Sequence, residues 1–125
     1  ALLQLATHER CVLIRVPQLS RVPGPLRSLL TAPKPLKCGV SVCQDLRLLQ
    51  SQCGLPPCTG FLDLRVPAQH CGFADLGLGL AALCERVLGA PLCKAPHIRC
   101  SAWDGALSPV QVRYAASDAY VAVAI

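Results

Sequence analysis

The sequence has no methionine, few aromatic residues and little charge. Charged residues make up 15% of the 125 residues and aromatic residues 4%, whereas 53% are hydrophobic. This balance excludes a disordered, solvating segment. A membrane span needs roughly 20 consecutive apolar residues, and the best candidate, residues 72–93, is interrupted by Asp75 and Glu85. The N-terminus also lacks the basic lead of a secretory signal, so we expect an intracellular protein without a membrane span.

Metal-binding cysteine motifs are also missing, although the chain has nine cysteines. None of them forms the C-x2-C pair that is typical of structural zinc. Cys11, Cys38 and Cys84 lie among aliphatic residues, where a thiol serves as a small hydrophobic side chain. We therefore expect reduced core thiols, with disulfides or a cysteine-based zinc module as the less favoured alternatives.

Length and charge indicate one domain with a mild preference for anionic partners. A chain of 125 residues is long enough for a single hydrophobic core. Twelve lysines and arginines against seven acidic residues give a net charge of +5. This excess suits an anionic partner such as nucleic acid but does not require one.

Apolar periodicity and turn residues predict four strands and four helices. The expected strands cover residues 1–6, 11–16, 36–42 and 61–66. The expected helices cover residues 26–31, 43–53, 78–88 and a last segment that begins at Ser108. Residues 90–107 are interrupted by proline and are expected to be mostly loop. Strands that alternate with helices after an antiparallel hairpin indicate an α/β domain with a mixed sheet.

The last helix carries an acidic residue on its apolar stripe. Ser108, Pro109 and Gln111 predict a capping box at its start. Asp118 falls on the apolar stripe, one turn after Tyr114. The other residues of this stripe are Val110, Val121 and Ile125. A buried carboxylate needs a cation or several donors, because its isolated burial is costly. The pair fits a metal site that orients a water, but spacing alone slightly favours a structural ion pair of Asp118 with Arg113 or Arg99.

Asp45 is the second acidic residue in an informative position. It lies in the first turn of the helix that follows the strand predicted over residues 36–42. A carboxylate there is stabilised by the helix dipole, whatever its function. The carboxyl end of a strand in an α/β sheet is, however, also where ligands usually bind. The sequence leaves both interpretations open.

Several ordered blocks resemble the tyrosine subclass of the DEDD 3′-5′ exonucleases, which includes RNase D and the Werner-type exonuclease domain. Tyr-Ala-Ala-Ser-Asp-Ala at residues 114–119 is similar to the third exonuclease motif, and Arg-Cys-Ser-Ala-Trp-Asp at 99–104 and Leu-Ser-Pro-Val-Gln at 107–111 are similar to its lead-in. Further blocks follow the family's order at residues 2–6, 13–17, 37–40, 62–65 and 80–84.

The resemblance implies a ribonuclease-H-like fold. It also implies an enzyme that hydrolyses DNA or RNA from the 3′ end with two divalent cations, Mg²⁺ or Mn²⁺. We expect such an enzyme in the nucleus or the mitochondrion. The resemblance further implies that Asp45 and Asp118 are metal ligands and that Tyr114 positions the attacking water. Arg99 and Lys94 are candidate phosphate contacts, although Arg99 could equally form an ion pair with Asp104 or Asp63. Hard carboxylate ligands suit these hard cations.

The 125 residues do not contain the family's first motif, Asp-x-Glu, which belongs on the first strand of the sheet. Two of the four acidic ligands are therefore missing. We expect a single domain over residues 1–125 that is truncated at both ends, lacks the first strand and is inactive or nearly so. The alternative is a non-catalytic remnant that binds nucleic acid or acts as a scaffold.

Overall fold

The computed structural model describes residues 2–73 and 79–125. The strands in this part are β1 (Leu2–Ala6), β2 (Cys11–Arg15), β3 (Lys37–Gly39) and β4 (Phe61–Asp63). The helices are α1 (Gly24–Thr31), α2 (Val42–Cys53), α3 (Arg65–His70), α4 (Leu80–Leu83), α5 (Pro96–Arg99) and α6 (Pro109–Ala124). A 3-10 turn covers Val16–Gln18 and a π-helical turn covers Cys84–Leu88.

The predicted opening hairpin is confirmed. Strands β1 and β2 pair antiparallel along their whole length. The polar turn between them is closed by the Thr7 amide, which donates to the carbonyl of Arg10 at 2.8 Å. The Thr7 hydroxyl also accepts hydrogen bonds from the amides of Glu9 and Arg10. His8 is exposed in this turn.

The strand predicted over residues 36–42 is shorter than expected. Strand β3 ends at Gly39, because Ser41 adopts a left-handed conformation with φ 59° and α2 begins one residue later. Leu36, the first residue of the predicted strand, lies before β3 and is 62% exposed. The predicted helix that follows is confirmed, and it ends at Gly54.

The strand predicted over residues 61–66 is also cut short, because its second half is helical. The carboxylate of Asp63 accepts a hydrogen bond from the amide of Arg65 at 3.0 Å. This contact turns the chain into α3, where Pro67 occupies the first turn and its missing N–H costs no helix hydrogen bond. Sequence periodicity also missed α5, a single turn that begins at Pro96 inside the predicted loop.

The helix predicted over residues 78–88 is present in two parts. Its first residue, Leu78, lies outside the described residues, and α4 begins at Leu80. A π-helical turn continues α4 and ends at Gly89, which has a φ of 67°.

Helix α6 begins with the predicted capping box. The amide of Gln111 donates to the Ser108 hydroxyl at 3.2 Å, and the Ser108 amide donates to the Gln111 side chain at 2.9 Å. The Gln111 amide group then donates to the Ser101 hydroxyl and to the carbonyl of Ala102. The cap therefore also fixes the preceding loop against the start of α6.

Helix α6 packs against two small sheets. Strands β1 and β2 form an antiparallel sheet and β3 and β4 a parallel one, and no ladder joins the two among residues 2–73 and 79–125. Cys11 of β2 donates to the carbonyl of Ala116, and Cys38 of β3 donates to that of Ala122. The expected single mixed sheet is thus divided into two small sheets in the described residues, and α6 contacts both of them.

The core lies beside the second sheet and remains open. It contains Leu64, Ala68, Leu83 and Ala122. The accessible surface is 7962 Å², whereas a compact monomer of this mass exposes about 6400 Å². Besides this excess of roughly 1500 Å², several large hydrophobic side chains are exposed, among them Leu36 at 62% and Val110 at 55%.

The cysteines all carry free thiols. Of the three expected in the core, Cys84 is buried, Cys38 is half-buried and Cys11 is exposed. The expectation is wrong for Cys11, because this residue begins β2 directly after the exposed hairpin turn. No helix in the described part of the chain is both long and apolar enough to cross a membrane.

Replacing Gly60 by alanine should destabilise the fold. Gly60 precedes β4 with a φ of +75°, and a Cβ there would lie 2.8 Å from the carbonyl carbon of Pro33. Left-handed strain costs about 1 kcal/mol, and the backbone clash adds about 1–3 kcal/mol. Gly54→Ala is the matched control, because Gly54 has a φ of +61° and no described atom near the new Cβ. Equal unfolding free energies of the two variants in urea would contradict the predicted clash.

Candidate active site

Helix α6 places Tyr114 and Asp118 on one face, as the sequence predicts. Tyr114 is buried, and the Asp118 side chain is 20% exposed. Val110, expected on the same buried stripe, is 55% exposed. The packed face of α6 therefore begins at Gln111, where the loop before the helix folds against it.

Lys94 supplies the positive charge that meets Asp118. Its Nζ lies 3.2 Å from Oδ1 and 3.3 Å from Oδ2 of Asp118. The same ammonium lies 5.7 Å from the centroid of the Tyr114 ring. The sequence suggested Arg113 or Arg99 as the ion-pair partner of Asp118. In the structure the partner is Lys94, which lies in the segment before α5.

Trp103 forms an aromatic pair with Tyr114, next to Lys94 and Asp118. The Trp103 ring centroid lies 6.0 Å from that of Tyr114, with the rings tilted by 52°. Trp103 Nε1 donates to the carbonyl of Arg99 at 3.1 Å. This contact supports a packing role for Trp103, because such tilted pairs stabilise beyond their buried area.

Arg99 is the last residue of α5 and is exposed. The sequence left open an ion pair of Arg99 with Asp104 or Asp63. Among the described residues neither pair forms, and the carboxylate of Asp63 is instead bound by Arg65 at 2.7 Å. Arg99 is therefore an exposed cation at the end of α5, five residues after Lys94.

Asp45 lies in the first turn of α2, as predicted, and is exposed as a residue. Partial desolvation of its carboxyl raises the pKa of Asp45. This direction differs from that of Asp63, whose pKa is lowered, chiefly by the hydrogen bonds from the Arg65 side chain. The sequence offered Asp63 only as a partner of Arg99, although an Asp-x-Arg at the end of a strand signals the local carboxylate–guanidinium pair with Arg65 that forms here.

The carboxylates of Asp45 and Asp118 are chemically suitable ligands for a divalent cation, but two carboxylates are too few for a two-cation centre. Carboxylate oxygens of Asp45 and Asp118 are hard ligands of the kind that Mg²⁺ and Mn²⁺ prefer. Among residues 2–73 and 79–125, however, no three His, Cys, Asp or Glu side chains converge on one point. The described residues therefore do not complete a two-cation centre.

A sequence profile described as 3′-5′ exonuclease matches residues 1–125. The chain is 40% identical over 133 residues to exonuclease 3′-5′ domain-containing protein 2 of Homo sapiens and 37% identical over 127 residues to that of Drosophila melanogaster. Both alignments cover the whole of this chain but only 21% of each relative.

Solved structures of a related domain are similar to this chain over nearly all of its length. The crystal structure of the EXD2 exonuclease domain soaked in Mn has 39% sequence identity and a TM-score of 0.52, and the alignment covers 99% of this chain and 64% of that domain. The same domain soaked in Mg and GMP aligns with a TM-score of 0.53. This chain therefore spans less than two thirds of the solved domain.

Lys94→Ala should destabilise the chain by about 1 kcal/mol, because it leaves the half-buried carboxylate of Asp118 without its ammonium partner. Urea unfolding at neutral pH measures the loss. Arg113→Ala is the control, since Arg113 is exposed on the same helix and its removal changes the net charge equally. A loss no greater than that of the control would show that the ion pair does not stabilise α6.

Asp63 and Asp45 should change the pH dependence of stability in opposite directions. The lowered pKa of Asp63 stabilises the fold above the unfolded value of about 3.9, and this contribution is lost as the pH falls through the folded pKa. The raised pKa of Asp45 gives stability that is present below the unfolded pKa and lost as the pH rises through the folded one.

Urea unfolding from acid to near-neutral pH tests these signs. Asp63→Asn should flatten the loss of stability in acid, and Asp45→Asn should make the rise of stability with pH steeper. Asp104→Asn, at an exposed position, should leave the profile unchanged. A flatter profile for Asp45→Asn would contradict the assignment.

Proposed function

The chain belongs to the 3′-5′ exonuclease domain family, and on this premise we propose that it forms part of an enzyme that hydrolyses DNA or RNA from the 3′ end. Membership of this family and the α/β, ribonuclease-H-like fold class agree with the expectations from the sequence. The observation that carries the proposal is the cluster of Lys94, Tyr114 and Asp118, in which a half-buried carboxylate faces a positive charge beside a buried tyrosine.

The proposed cofactors are two divalent cations, Mg²⁺ or Mn²⁺, with which the related EXD2 domain was soaked. Asp118 and Asp45 would each contribute a carboxylate to hold them. When bound, such cations stabilise the attacking and leaving oxygens of a phosphodiester. The 125 residues supply only two of the four acidic ligands that the family resemblance implies.

Tyr114 has a role that follows from its own position. It is buried one turn before Asp118, and its ring contacts the ring of Trp103 and the ammonium of Lys94. A phenol fixed in this way can hold a water near Asp118 by one hydrogen bond. Because the ring is already ordered by these contacts, that orientation costs little entropy when substrate binds.

The basic residues near α6 are the proposed contacts for nucleic acid. Arg99 is exposed at the end of α5, where its guanidinium can bind a phosphate bidentately. Lys94 is held by Asp118 and becomes available to a phosphate only when that carboxylate meets another cation. We therefore assign Arg99 the first phosphate contact, and propose a nuclear or mitochondrial location where such substrates occur.

The 125-residue chain alone should be a poor enzyme. It contains no Asp-x-Glu sequence, and its described residues bring no third acidic ligand to Asp45 or Asp118. A non-catalytic nucleic-acid-binding or scaffold domain is therefore the second candidate. The net charge of +5 favours this alternative, because binding to phosphates requires no metal centre.

Digestion of a 5′-labelled oligonucleotide in Mn²⁺ tests the proposal. A chain extended upstream by an Asp-x-Glu strand should shorten the oligonucleotide stepwise from its 3′ end, and the 125-residue chain should do so at least about a hundredfold more slowly. Asp118→Asn and Tyr114→Phe in the extended chain should remove most of the activity, whereas Arg113→Ala should retain it.

Filter binding of the same oligonucleotide distinguishes the two candidates. If the extended chain binds the oligonucleotide but does not shorten it, the domain is a binding module and the exonuclease proposal is wrong. Equal cleavage by the short and the extended chains would instead show that the missing motif is not required.

A further inference from the structure

Asp63 connects the end of β4 to the start of α2. Its Oδ2 accepts a hydrogen bond from the amide of Ser41 at 3.0 Å and one from Arg65 Nη2 at 2.7 Å. Its Oδ1 accepts from the amide of Arg65 at 3.0 Å and from Arg65 Nε at 2.9 Å. One carboxylate thus holds the beginnings of two helices, α2 and α3.

Helix α2 depends on this contact because it has no cap of its own. Ser41 occupies the N-cap position with φ 59° and ψ 30°, and its hydroxyl makes no capping hydrogen bond. Residues other than glycine rarely adopt this left-handed conformation. Asp63 supplies, from the neighbouring strand, the acceptor and the negative charge that stabilise a helix start.

The surroundings of Ser41 make this corner compact. The amide of Leu64 donates to the carbonyl of Gly39 at 2.8 Å, which joins the two strand ends directly. A Cβ on Gly39 would lie 2.7 Å from Val42 Cγ1. The absence of a side chain at Gly39 therefore lets Val42, the first residue of α2, pack closely against the end of β3. The position of the first turn of α2 is therefore determined by β3 and β4 together.

Asp45 lies in that first turn, four residues after Ser41 and so about 6 Å along the helix axis. We infer that Asp63 is a positioning residue for Asp45, acting through the amide of Ser41. The inference rests on the proposed function, which makes Asp45 a metal ligand. Asp63 is not itself a ligand, because each of its oxygens already accepts two hydrogen bonds and Arg65 balances its charge.

Amide hydrogen exchange in the 125-residue chain tests the positioning. The probes are the amide of Ser41, bound by Asp63, and the amide of Gln44, which donates to the carbonyl of Ser41. The amide of Val112 in α6, which donates to the carbonyl of Ser108, is the internal reference. Asp63→Ala should speed exchange at the two probes by about tenfold relative to this reference.

Two variants control this measurement. Asp63→Asn keeps one oxygen acceptor for the Ser41 amide and should give a smaller increase, which also covers the case in which Asp63→Ala does not fold. Asp104→Ala removes an exposed carboxylate and should change none of the three amides. An equal increase at probes and reference, or no increase in either Asp63 variant, would overturn the inference.

Mn²⁺ titration followed by NMR separates positioning from general stability. In the chain extended upstream by an Asp-x-Glu strand, Mn²⁺ should broaden the amide signals of both Asp45 and Asp118. In Asp63→Ala of that extended chain the broadening should be lost at Asp45 and retained at Asp118, and unchanged broadening at both would contradict positioning. If the extended chain without substitutions shows no broadening at either aspartate, the metal assignment in the proposed function fails, while the exchange measurement in the 125-residue chain still decides whether Asp63 orders α2.

Discussion

An ionised carboxylate on the packed face of a helix must meet a positive charge, and this constraint organises the C-terminal half of the chain. Asp118 is mostly removed from water, and Lys94 reaches both of its oxygens. To place Lys94 there, the segment before α6 must fold back along that helix. The hydrogen bonds of Gln111 and the contact of Trp103 with Tyr114 hold the same segment. The ion pair, the helix cap and the aromatic pair are therefore parts of one arrangement.

The sequence predicted those features whose causes lie within a few neighbouring residues. The capping box of α6 and the end of α2 at Gly54 are of this kind, and both are present. The strands expected over residues 36–42 and 61–66 both end early at contacts of the same carboxylate, one between the strands and one within the second strand. Asp63, on the second strand, binds Ser41 after the first and also turns its own strand at Arg65. Alternation of apolar residues carries no information about such a contact.

The same distinction applies to the candidate site. Tyr114 and Asp118 could be placed together from the sequence, because residues four apart on a helix share a face. The partner of Asp118 could not, since Lys94 is 24 residues away and arrives through a loop. Arg113, the nearer cation in sequence, points to solvent. Sequence distance alone therefore favoured the wrong partner, and the path of the loop decided the right one.

The relation between Asp45 and Asp118 is set by tertiary packing rather than by either helix. Asp118 belongs to α6, whereas Asp45 belongs to the corner built by β3, β4 and α2. A two-stranded sheet is only marginally stable by itself, so that corner keeps its place through the core around Ala122 and the contact of Cys38 with α6. Any change that loosens this packing moves one carboxylate relative to the other. The geometry of the proposed metal site thus depends on this packing as much as on the acidic residues themselves.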